Sequence, residues 1–136
     1  MIRSLTEAEL IAEGETLGRS LPPHQVVLLE GDLGVGKTTF ASAVARGLGV
    51  ASGATSPTYA LVHRYRGSRG PVFHLDCYRL RDPSEAGDLD WQALLGEGDA
   101  LLIEWPERAG AWVPPATHRF RLHHLSDPER RGLERL

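Results

Sequence analysis

The stretch "GDLGVGKTTF" (Gly31–Phe40) holds Lys37, the single lysine among 15 lysines and arginines. Gly31, Gly36, Lys37 and Thr38 match G-x-x-x-x-G-K-[ST], the phosphate-loop pattern known as Walker A. Glycines let the backbone curl so that successive N–H groups point inward at phosphate oxygens. A helix beginning at the loop adds its positive N-terminal end. Lys37 is expected to reach the β- and γ-phosphates as a compact ammonium, where an arginine's planar fork does not fit. Thr38 is expected to place its hydroxyl on magnesium. The competing reading is a glycine-rich turn with an exposed lysine, and the flanking segments weigh against it.

Upstream, "QVVLLE" (Gln25–Glu30) is a short apolar run of the kind that forms a strand buried on both faces. Downstream, Phe40, Val44 and Leu48 recur four apart on one helical face, with Gly47 and Gly49 as a stop. Strand, glycine loop and helix follow in the order a phosphate loop requires. Further out, Thr6-Glu-Ala-Glu9 is a capping box that opens a helix through Leu10, Gly14, Leu17 and Leu21, closed by Pro22-Pro23. Thr58–Tyr65 and Pro71–Leu80 read as a hairpin. Asp82–Gly98 reads as helical in its second half, Ala100–Trp105 as another buried strand, and His118–Leu125 as a late strand whose alternation admits an edge position. No repeat or internal boundary is visible, so residues 1–136 are expected to form one domain.

The net charge of −3 argues against a general nucleic-acid or anionic-membrane binder, because those need a positive field. Any RNA involvement is then expected through a partner. Cys77 is the lone cysteine, which excludes an internal disulfide and fits a reducing cytosol. The acidic N-terminal segment does not resemble a signal peptide, and no apolar stretch approaches a membrane span. A cytoplasmic protein is the expectation.

A phosphate loop needs acids for its metal. Glu104 ends the strand "ALLIE", at the carboxyl end where ligand sites of parallel sheets lie. Its bland alternative is a carboxylate facing water. In "VFHLDCY", His74, Asp76 and Tyr78 share one strand face, and an acid in mid-strand runs against propensity. Asp76 is therefore a candidate for the magnesium shell or for orienting a water, the alternative being an ion pair with Arg79 or Arg64. The six histidines read as ordinary strand or surface residues, with no zinc-type spacing.

With "SPTYALVHRY", "HLDCYRL" and "LLIEWPERA" following the phosphate loop in order, the chain resembles the bacterial tRNA threonylcarbamoyladenosine biosynthesis ATPase family, TsaE. The resemblance covers about Leu5 to Leu133. It implies a P-loop nucleoside triphosphate hydrolase fold, α/β and three-layered, with a mixed parallel and antiparallel sheet. It also implies a weak magnesium-dependent ATPase that works with TsaB and TsaD in modifying tRNA, touching tRNA only through that complex. Carried over, Leu33, Gly34, Val35, Gly36, Lys37, Thr38 and Thr39 form the phosphate loop, and Thr38 with Glu104 holds magnesium. Asp76 serves ATP turnover, Thr58 occupies a switch-like segment near the γ-phosphate, and Trp105 lies close to the nucleotide. Thr6 and Arg131 match nucleotide-contacting positions, Arg130 being the neighbouring alternative to Arg131.

Two other functions fit a short phosphate-loop chain. A small-molecule kinase usually carries an arginine-rich lid, yet the Asp82–Gly98 segment is acidic. A nucleotide-dependent adaptor would bind ATP without turnover. Guanine reading through Asn-Lys-x-Asp is excluded because the one lysine sits in the phosphate loop, so adenine is preferred.

Overall fold

Apolar alternation along the strands divides the chain into two cores on opposite faces of one sheet. A computed structural model describes residues 1–51 and 61–136. Its strands are β1 (Ile2–Thr6), β2 (Gln25–Glu30), β3 (Val62–Arg66), β4 (Pro71–Asp76), β5 (Ala100–Glu104), β6 (His118–His124) and β7 (Arg130–Arg135). Its α-helices are α1 (Glu7–Ser20), α2 (Lys37–Gly47) and α3 (Trp91–Glu97). The 7-stranded sheet runs β1-β7-β6-β2-β5-β4-β3. β6, β2, β5 and β4 are mutually parallel, while β1, β7 and β3 join antiparallel. The sheet is mixed, as the resemblance implies.

Successive β2 residues serve opposite faces. Val27 and Leu29 pack with Leu10, Phe40 and Val44 under α1 and α2. Val26 and Leu28 pack with Leu75, Ile103 and Trp91 on the α3 side. This makes three layers, with β2, β5 and β4 buried from both sides and β6 on one face only.

α1 begins where the capping box places it. The Thr6 hydroxyl accepts from the Glu9 N–H at 3.2 Å, and the Glu9 carboxylate accepts from the Thr6 N–H at 2.9 Å. α1 then lies close on α2 because Gly14, Gly18 and Gly47 leave no room for side chains: a Cβ on Gly18 would stand 2.2 Å from the Val44 oxygen.

Several expectations are corrected. β6 is an inner strand between β7 and β2. Its exposed arginines are drawn to β2, where Arg119 and Arg121 both donate to Glu30 at 2.9 and 3.0 Å. The strand from Pro71 ends at Asp76, and Cys77–Arg79 turns as a 3-10 segment. Asp76 thus terminates a strand and does not sit in mid-strand. β1 and β7, polar and with few buried positions, were not legible as strands. Thr58 and its Ser56-Pro57-Thr58-Tyr59 motif lie outside the described residues.

Candidate functional site

Three strands deliver the site at their carboxyl ends. β2 runs into Gly31, and β5 and β4 end in register, Glu104 beside Asp76. The loop after β2 takes positive φ at Gly31, Gly34 and Gly36 (139°, 75° and 111°), a region that disfavours side-chain-bearing residues. A Cβ on Gly34 would meet nothing within 4 Å, so here the need is backbone conformation, not space. Gly36 caps α2 with no side chain to occupy the first-turn amides, and that turn carries no acid. α1 satisfies its first turn with Thr6, whereas α2 leaves its own open to an anion.

Lys37 is 4% exposed. Its ammonium donates to the Gly31 carbonyl and, at 2.8 Å, to the Asp32 carbonyl. It also sits 4.1 Å from the centroid of the Trp105 ring. Burial pushes its pKa below the usual 10.5, although Glu104, Glu107, Asp32 and Asp76 pull the other way. The exposed-lysine alternative is therefore not what the structure shows.

Glu104 is 3% exposed, not a water-facing carboxylate. The Thr38 hydroxyl lies 3.0 and 3.1 Å from its two oxygens. Asp76, half-buried, accepts from the Tyr78 N–H at 3.2 Å. Its suggested partner Arg64 bridges to Glu97 at 3.3 Å.

Immediately after Glu104 the chain reverses through Trp105, whose φ of 55° is left-handed. A non-glycine residue there costs about 1–3 kcal/mol, and such strain gathers at ligand clamps. The turn places the indole over Lys37 and 4.9 Å from the Tyr78 ring. Arg108 caps that pair, its guanidinium 4.4 Å from the Tyr78 centroid.

Together these residues line a cleft of about 260 Å³ that includes Gly34, Lys37, Thr38, Asp76, Glu104 and Trp105. A second cleft of about 450 Å³ lies across the loop, lined by Thr6, Gly34, Val35, Gly36, Thr39 and Arg131. Arg130 turns elsewhere, donating to the Ser4 carbonyl at 3.1 Å. Leu33, at the loop's crest, is 66% exposed.

Sequence reasoning missed His74. It is 8% exposed, and its Nε2 lies 2.5 Å from Glu104 Oε2. The signal was its place on the same strand face as Asp76. Tyr78, Tyr65 and Arg108 were not singled out either.

Open helix amides beside a buried ammonium fit a triphosphate. A threonine hydroxyl joined to a strand-end carboxylate fits magnesium, an ion that keeps waters and arrives with phosphates instead of sitting in an all-protein cage. No group of three or more His, Cys, Asp or Glu able to hold a metal occurs among the described residues.

A strand-loop-helix cradle tied through its threonine to a neighbouring parallel strand defines a P-loop nucleoside triphosphatase fold. Within that class the model described as "Threonylcarbamoyl adenosine biosynthesis protein TsaE" matches residues 4–132, and the chain belongs to this family. Relatives named tRNA threonylcarbamoyladenosine biosynthesis protein TsaE include those of Treponema pallidum and Bacillus subtilis. The first is 37% identical over 117 residues, 86% of this chain and 86% of the relative. The second is 34% identical over 128 residues, 94% and 80%. The Synechocystis relative is 40% identical over 98 residues, 70% of this chain. The matched region spans only 62% and 60% of the lengths of the two cyanobacterial relatives, from Synechocystis and Nostoc. The crystal structure of YdiB from Bacillus subtilis superposes with a TM-score of 0.73 at 28% identity, covering 98% of this chain and 85% of that one.

Proposed function

We propose that this chain binds ATP with magnesium and hydrolyses it slowly, as one ATPase domain serving threonylcarbamoyladenosine formation in tRNA with TsaB and TsaD. The observation that carries the reading is the Thr38–Glu104 pairing beside buried Lys37, a device with no use in a plain turn. Family membership supports the pathway. Among the described residues no helix is long and apolar enough to cross a membrane. A cytoplasmic setting belongs to this reading through the family. The Cys77 thiol is buried and pushed up to about 12 by that burial, which keeps it from acting as a nucleophile in the site.

The roles follow from position. The loop amides from Leu33 to Thr39 and the Lys37 ammonium bind the phosphates and offset charge as it shifts in the transition state. Thr38 and Glu104 would hold magnesium, which would supply positive charge to offset that of the phosphates. Glu104 already accepts from Thr38 and His74, so Asp76, which accepts from the Tyr78 N–H and lines the same cleft, is the one we assign to accept from the attacking water. Trp105 covers the lysine, and Thr6 with Arg131 receives the nucleoside end. Thr58 belongs to this reading through the family resemblance alone. An arginine supplied by a partner accelerates such reactions about 10³–10⁵-fold, so turnover is expected to rise in the complex.

The test follows phosphate from radiolabelled ATP with the purified chain, with and without magnesium, TsaB–TsaD and a metabolite panel. Release to water, faster with the partners, is expected. Lys37→Ala should abolish nucleotide binding, and Glu104→Ala should retain part of it while losing magnesium-dependent turnover. Transfer to a metabolite, or unchanged affinity in Lys37→Ala, would overturn the reading.

A further inference from the structure

We propose that His74 is a positioning residue that fixes the Glu104 carboxylate against Thr38 and so sets how strongly magnesium and nucleotide reinforce each other. The inference rests on the magnesium-nucleotide reading of the site.

The pairing follows from register. On β4, His74 stands opposite Leu102 of β5, two residues before Asp76 meets Glu104. His74 and Asp76 therefore share a face, and the imidazole reaches forward to the carboxylate of the adjacent strand. A carboxylate only accepts, so the ring presents Nε2–H to Oε2. Thr38 approaches the same carboxylate at 3.0 and 3.1 Å from its two oxygens. Two donors anchored on different elements, β4 and α2, leave Glu104 one orientation.

The imidazole is itself held. The Tyr65 ring stacks on it at 6.4 Å and 26°, and His63 lies 6.2 Å away at 57°. His74 is 8% and Glu104 3% exposed, so most of the pair's contact is with protein rather than bulk water. A histidine kept only to fill core space would need neither a reach to the carboxylate nor a stacked platform. Hydrogen-bond partners behind a metal's ligands orient those ligands, and losing one typically costs about 10–100-fold in metal affinity.

Calorimetric titration with the non-hydrolysed analogue AMPPNP, with and without magnesium, reads this coupling as the ratio of the two Kd values. His74→Leu should cut that ratio about tenfold while the metal-free Kd changes by less than about twofold. His74→Gln, whose amide N–H takes the place of Nε2–H, should keep most of the ratio. An unchanged ratio in His74→Leu overturns the inference. So does an equal loss with and without metal, or a Gln variant as impaired as Leu. Should His74→Leu not fold, His74→Asn replaces it under the same outcomes, its amide being a methylene too short. A native protein with no magnesium coupling would instead fell the site reading, and this inference with it.

Discussion

Lys37 holds a charge in a place that disfavours charge. Burial lowers its pKa below 10.5 despite four carboxylates acting in the opposite sense. Phosphates brought beside the ammonium stabilise the charged form and raise that pKa again. Between the lowered value of the free protein and the raised value of the complex, binding must take up protons. Calorimetry in two buffers of different ionisation enthalpy should therefore show net proton uptake per nucleotide on the alkaline side, below the ordinary lysine pKa of 10.5, and an uptake that falls away as the pH is lowered and the lysine is charged in both states. No uptake under alkaline conditions, or release, would mean that the ammonium does not face the phosphates. At this scale the sequence shows Lys37 and Thr38 through a pattern whose chemistry is local. Glu104 is legible because a strand end is a place. His74 is not, since a histidine alternating along a strand looks the same whether it meets core atoms or a carboxylate 30 positions away.

The two helices on the site's face are joined backbone to backbone. Gly18 of α1 and Gly47 of α2 face each other so closely that a Cβ on Gly18 would stand 2.2 Å from the Val44 oxygen and 2.8 Å from the Gly47 Cα. Gly18→Ala gains about 1 kcal/mol of helix propensity. Against it stands overpacking, typically about 1–3 kcal/mol and here toward the upper end because both obstacles are backbone. A net loss on the order of 1–2 kcal/mol is expected, read as a lower urea midpoint at unchanged m-value. A more stable variant would show that the helices can separate freely. Such separation matters because α2 carries Lys37 and Thr38 on its first turn. The capping box, the apolar run of β2 and the spacing of Phe40 and Val44 made α1, β2 and α2 readable. β1 and β7 escaped because their pairing is written in sheet geometry: in "RRGLER" only Gly132 and Leu133 are buried.

The whole sheet explains why an antiparallel β1-β7 pair is appended beyond β6. It carries Thr6 and the neighbourhood of Arg131 to the side of the phosphate loop opposite Glu104 and Asp76. Gly34, Gly36 and Thr39 border both clefts, so a nucleotide with its phosphates in one and its nucleoside in the other would straddle the loop. The two adjacent arginines separate under this view. Arg130 is engaged with Ser4 and lies 3.8 Å from Glu9, while Arg131 borders the cleft, steadied by the Pro128 and Arg130 carbonyls at 2.9 Å. Arg131→Ala should weaken ADP binding about tenfold, equivalent to ~1.4 kcal/mol, and leave pyrophosphate binding unaltered. Arg130→Ala should change neither. The paired ligands are what make the experiment decisive. An equal loss for both would place Arg131 at the phosphates, and no loss for either would remove the β1-β7 pair from the binding site. A selective loss for ADP would mean that the antiparallel end of the sheet reads the nucleoside while the parallel strand ends hold its charge.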